Sequence, residues 1–175
     1  MLGDYDIALS YEQKIYDWSD RFYEFTPDYT KGWTEYHIAK ILYNMGDLEK
    51  GEEAIKASAQ HFENVGDTCS GSHAYRLMAI FLARKGEYET ALKLSDKAME
   101  TLLPMYGEEH FDIARVWNSR ARIYAIAEDV ANACTCWERA INIFEKVGAM
   151  HYVKKARHDM QRVLAGENHN QSILD

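Results

Sequence analysis

"KGEYETALKLSDKAM", residues 85–99, decides the fold. It opens on a glycine and an acid, and Tyr88, Ala91, Leu92, Leu94 and Ala98 then recur at the spacing of one buried helix face. The same phrase returns in weaker form. Gly3-Asp4-Tyr5 and Gly46-Asp47-Leu48 precede it, and Glu128-Asp129-Val130, which has lost the glycine, follows. Positions 3, 46, 86 and 128 are 43, 40 and 42 residues apart. A near-constant period of that length marks a repeat architecture.

Each copy places small residues at fixed slots. Ala39, Ala79 and Ala121 stand seven positions before the glycine slot, and Ala8, Gly51, Ala91 and Ala133 five positions after it. Ala98 and Ala140 follow seven further on. Small residues let two helices approach closely, while Leu42, Leu82, Tyr124, Ile55 and Trp137 fill the space beside them. The repeated unit is therefore a helical hairpin. Glycine ends its first helix by entering the left-handed conformation without steric cost, and the following acid suits the positive end of the second. Glu128 lacks that freedom, so its turn is expected to be strained or differently shaped.

These residues resemble the tetratricopeptide repeat, whose hairpins carry a small residue in the first helix, glycine at the turn and alanines in the second. "MYGEEHFDIARVWNSRARIY", residues 105–124, resembles the long variety of about 42 residues found in kinesin light chains and many bacterial regulators. There the segment between hairpins reads Gly-x-x-His-Pro, then an acid and an alanine. Gly107, His110, Asp112 and Ala114 match, Phe111 stands where proline is usual, and Gly148, His151 and Ala156 echo the pattern weakly. The resemblance spans about residues 3–166. It implies an all-α fold, an α-solenoid of antiparallel helix pairs wound as a right-handed superhelix.

On this frame eight helices are expected, over about residues 4–25, 30–45, 47–65, 69–86, 88–105, 109–128, 130–147 and 149–166. They form a single array over 1–166: an unpaired first helix, pairs 30–65, 69–105 and 109–147, and a capping last helix. The tail 167–175 has too little apolar content to pack and is expected to fray. In the first helix the stripe Ile7, Tyr11, Ile15, Trp18, Phe22 and Phe25 is expected to bury against the next pair. Tyr5, Leu9, Tyr16 and Tyr23 would then form a second apolar face. Such a face is consistent with a chain cut from a longer array, with an amphipathic cap, or with self-association through this helix.

Composition agrees with helices. Of 175 residues, 47% are hydrophobic, which supplies a sizeable core, and only 2 are proline. No branched residues alternate with polar ones as strands require. A formal net charge of −8 disfavours nucleic acid and anionic membrane surfaces. No apolar run approaches the roughly 18 residues that cross a bilayer, and "MLGDYDIALS", residues 1–10, lacks the pattern of a signal peptide. A soluble, cytoplasmic protein is expected. Cys134 and Cys136 diverge on one helix and Cys69 stands alone, so reduced, structural thiols are expected and no metal set forms.

No HExxH, GxSxG, phosphate loop or dinucleotide signature occurs, so neither catalysis nor a cofactor is expected. His110 with Glu109, Asp112 and His151 resembles a metal set only loosely, and capping of a helix start is the better account.

The resemblance implies that the first helices of the pairs line a concave side. Counting Lys and Arg against Asp and Glu, those helices are net positive and the second helices net negative. The slots facing the groove are then Trp33, Tyr36, His37, Lys40, Tyr43 and Asn44 from the first complete pair. The second pair offers His73, Arg76, Ile80 and Arg84. Arg115, Asn118, Ser119 and Arg122 come from the third, and Arg157 from the last helix. Guanidinium groups grip carboxylates, aromatic rings bury apolar side chains, and asparagine bonds an extended backbone. The expected function is a protein-interaction scaffold holding an acidic peptide or protein segment in a basic groove. The alternative is a regulatory sensor segment of a larger signalling or transcriptional protein.

Overall fold

The computed structural model describes residues 2–22 and 27–166, which form eight α-helices and no strand. In chain order these are α1 (Leu2–Phe22), α2 (Pro27–Met45), α3 (Leu48–Asn64), α4 (Thr68–Arg84), α5 (Tyr88–Tyr106), α6 (Phe111–Ile126), α7 (Val130–Lys146) and α8 (Met150–Leu164). The helices expected from the repeat are present with ends shifted by a few residues. The exception is the first glycine. Gly3 lies inside α1, so the first copy of the phrase has no turn among the described residues.

One turn is used five times among the described residues. The N–H of Asp47 bonds the carbonyl of Leu42 at 3.0 Å and the N–H of Gly46 that of Tyr43 at 3.1 Å. This paired closure satisfies two carbonyls that a helix end leaves open. The same two bonds recur at Gly66-Asp67, Gly86-Glu87, Glu128-Asp129 and Gly148-Ala149. The closing residue must have positive φ, as Gly86 does at 83°. Glu128 takes the same shape at φ 61°, the sole non-glycine with positive φ among the described residues. Its turn is thus strained and not reshaped. Asp47 and Asp129 then cap the next helix, accepting from the N–H groups of Lys50 and Asn132.

The chain divides into two compact units, with the boundary between Ala74 and Tyr75 inside α4. In the first, α2 and α3 form a tight hairpin. Ala39, Ile55 and Phe62 are fully buried. A Cβ on Gly32 would stand 2.7 Å from the Phe62 ring, and the Ser58 hydroxyl donates to the Gly32 carbonyl at 2.7 Å. The two helices therefore touch backbone to side chain at a point that tolerates no methyl group.

α1 docks on α2 by the face opposite to the expected one. Ile7, Tyr11, Ile15 and Trp18 are 57%, 61%, 44% and 49% exposed, whereas Tyr5, Leu9 and Tyr16 are half-buried and Ser19 is buried. Polar contacts select the docked face: Glu12 lies 3.5 Å from His37 Nδ1, and the Lys31 ammonium sits 5.1 Å over the Tyr16 ring. Tyr23, Phe25 and the tail 167–175 lie outside the described residues.

The second unit stacks the rest of α4 with α5–α8. Ala79, Leu82 and Ala83 of α4 meet Ala91 of α5 and Ile123 of α6. Further along, Ala121 of α6 and Ala133 and Ala140 of α7 surround Trp137 and Phe144, and Val153, Ala156 and Val163 of α8 close that core. Of the alanine slots read from the sequence, Ala39, Ala79, Ala91, Ala98, Ala121, Ala133 and Ala140 are at zero exposure, where they permit the close helix approach expected of them, whereas Ala8 on α1 stays partly exposed.

Candidate functional site

In the first unit, α2 carries six of the residues expected to face a partner, and the start of α4 carries His73. Trp33 is half-buried at the centre of a ring cluster. Its indole lies 5.3 Å from Phe62, 5.5 Å from Tyr36, 5.8 Å from His73 and 6.2 Å from His37. Edge contacts with Tyr36 and Phe62 and tilted ones with His37 and His73 hold the ring in place and leave part of its surface open. Tyr36 and His73 are buried and act as the floor of the cluster, and Tyr43, further along α2, is buried as well. His37 is exposed, Asn44 is half-buried, and the Lys40 ammonium lies 5.9 Å over the Tyr36 ring. Trp33, His37 and Lys40 thus form one accessible patch with an apolar centre and a cationic edge.

Beside it, Asp28 holds His61 Nδ1 at 2.6 Å, and burial raises the pKa of Glu35 above the ordinary carboxylate range, against the opposing pull of His61.

The second unit treats its expected residues differently. Arg122 is 1% exposed and pairs with Asp159 of α8 at 3.2 Å. Arg76 is 5% exposed and its Nη1 donates to the Ser119 hydroxyl at 2.8 Å, while Ile80 and Ser119 are fully buried. Asn118, 4% exposed, accepts a hydrogen bond from the Trp137 indole N–H at 3.1 Å. These side chains bond within the protein, Arg76 to Ser119, Trp137 to Asn118 and Arg122 to Asp159. The expectation that Arg76, Asn118 and Arg122 lie open to a partner is corrected: α6 is buried on most of its circumference, and α8 brings an acid to cover Arg122.

Arg115 is half-buried, bonded to Asp112 at 3.3 Å and held 5.8 Å over the Phe111 ring. Arg84 is half-buried, and Arg157 is exposed and paired with Glu145. These three are the accessible guanidinium groups of the expected set in this unit.

His110 caps α6, its Nδ1 accepting from the Asp112 N–H at 3.2 Å, and its ring stacks on Tyr106 at 4.1 Å. That is the structural role expected from its place before the helix. The three cysteines are free thiols, and burial raises the pKa of Cys134 and Cys136, which disfavours their reactive thiolate forms. Among the described residues no helix is long and apolar enough to cross a membrane.

The sequence did not point to Asp159, because nothing local distinguishes it from other helix acids. Nor did it single out Arg139, which lies 4.6 Å over the Trp117 ring from the neighbouring helix.

A family model described as tetratricopeptide repeat matches residues 70–146. Among solved structures, the chain is similar to the crystal structure of BtubC (BKLC) from P. vanneervenii, with a TM-score of 0.68. Sequence identity there is 17%, and the match covers 94% of this chain and 74% of that one. No curated protein sequence matches this one.

Proposed function

We propose that this chain, whose residues 70–146 belong to the tetratricopeptide-repeat family, is a protein-interaction scaffold that holds an acidic segment of a partner protein. Tetratricopeptide repeats generally mediate protein–protein interactions. The acidic partner is inferred from the side chains on offer. The observation that carries it is the α2 patch: an accessible indole fixed by four neighbouring rings, with Lys40 and His37 at its edge.

A pre-fixed ring receives an apolar side chain at little conformational cost, and the cationic edge attracts carboxylates flanking it. In the second unit Arg115 and Arg157 already pair with Asp112 and Glu145, and the α2 surface is proposed without them. Arg76, Asn118 and Arg122 have structural work and are left out of the proposed surface.

Binding of a fluorescein-labelled acidic peptide with a central phenylalanine tests this reading, measured by anisotropy at low and high salt. Trp33→Ala and Lys40→Glu are each expected to weaken it about tenfold, and salt to weaken the parent more than Lys40→Glu. Equal affinity for parent and both variants, all with the parent's helical circular dichroism, rejects the α2 surface.

A further inference from the structure

The second unit contains a cleft of about 460 Å³ between α5 and α7, with α6 beneath it. That volume suits a side chain and its neighbours. The apolar part of its wall is made by Met99 and Leu103 of α5, Ile143 of α7 and the Trp117 ring of α6. Trp117 and Ile143 continue into the buried core, while Leu103 and Met99 stay partly open to water. The cleft is thus apolar at depth and accessible at its mouth.

Its polar groups are unequal. Lys146 and Glu109 bond each other across the rim and neutralise one another. Arg139 is exposed and held over the Trp117 ring at 4.6 Å, and it makes no ion pair among the described residues. A second guanidinium near that ring, Arg120 at 5.7 Å, is already bonded to Asp96 at 2.6 Å. Arg139 is therefore the cation of the cleft with capacity left for a carboxylate. Beside it on α7, the Asn142 side chain has no hydrogen bond among the described residues and can meet a peptide backbone. Glu108, on the α5–α6 connection, repels an acid from the other side.

We propose that this cleft docks a peptide segment in which an aromatic or aliphatic side chain stands next to an acidic one. The apolar side chain lies against Met99, Leu103, Trp117 and Ile143, and the carboxylate meets Arg139. A guanidinium positioned by a ring loses little freedom on gripping a carboxylate, so the charge contact adds to the apolar one. Glu108 fixes polarity by keeping the acid on the α7 side. The site shares no residue with the α2 patch, and either can fail without the other.

The test is a heteronuclear NMR titration of the full chain with the capped peptide acetyl-Gly-Ser-Gly-Phe-Asp-Gly-Ser-Gly-amide, repeated with Leu for Phe. Saturable shifts are expected at the Trp117 indole N–H and the Met99 and Ile143 methyl groups. Replacing the peptide's Asp by Asn, or using the Arg139→Gln protein, is expected to weaken binding about tenfold. Leu103→Asn, at a solvent-open position, is expected to weaken it while leaving the fold intact, and Lys40→Glu is expected to leave these shifts unchanged. Three results each overturn the proposal: no saturable shift below about 10 mM with either peptide, shifts confined to α2, or equal affinity for parent and Arg139→Gln.

Discussion

The Arg122 guanidinium and the Asp159 carboxylate meet at 3.2 Å, joining α6 to α8 with Arg122 only 1% exposed. A cation so placed is held by its acid and has no surface to offer a ligand. Its removal leaves the half-buried Asp159 carboxylate without its partner, and its reversal sets a fully buried carboxylate against it. Such losses cost about 3–5 kcal/mol. Arg122→Glu is therefore expected to lower the urea midpoint of unfolding sharply, and Arg122→Met less, because an apolar chain of similar length refills the space. A midpoint for Arg122→Glu equal to the parent's would show that this arginine is not an interior group.

Glu128 tests the turn. It takes the left-handed conformation that the other four copies give to glycine. A side chain there costs about 1–2 kcal/mol, partly offset by the greater freedom of an unfolded glycine. Glu128→Gly is expected to raise the thermal midpoint, and Gly86→Ala, the converse change at φ 83°, to lower it. Opposite signs in differential scanning calorimetry are the outcome sought.

Glu35 gives a pH dependence. Burial raises its folded pKa above the unfolded value, so the folded state holds the proton more tightly. Stability linked to this group is then present below the ordinary carboxylate range and is lost as pH rises through that range to the folded value. Glu35→Gln removes the dependence. The variant is expected to gain stability over the parent at neutral pH, with the gap closing as pH falls below about 4. A gap that widens on acidification contradicts the direction of the shift.

The hairpins were legible because their signals are local and repeated. Ala39, Ala79 and Ala121 fall in the core, and Gly46 and Gly86 end their helices, since a turn and a close approach each depend on a few adjacent residues. The candidate surface was less legible. Helical spacing places Trp33, Arg76 and Arg122 on comparable faces, but whether a face stays open depends on what a distant helix brings to it. Asp159 arrives 37 residues after Arg122 in sequence, and Ser119 lies 43 residues beyond Arg76. Charge summed along a helix cannot separate a cation paired within the core from one left at the surface, as Arg139 is.

The orientation of α1 shows the same limit and carries the last prediction. Two apolar stripes compete on this helix, and hydrophobicity favours Ile7, Tyr11, Ile15 and Trp18, the stripe that remains exposed. The docked side includes Glu12 and Ser19, which a hydrophobicity count ranks low, yet Glu12 reaches His37 and Lys31 covers Tyr16. Tyr11→Lys should accordingly change stability by no more than about 0.5 kcal/mol, the range of ordinary surface substitutions. Leu9→Asp, which puts a charge into the half-buried face, should cost about 1–3 kcal/mol. Urea titrations of the two variants decide between the faces: a large loss in Tyr11→Lys with none in Leu9→Asp would mean that the helix packs by its more apolar stripe.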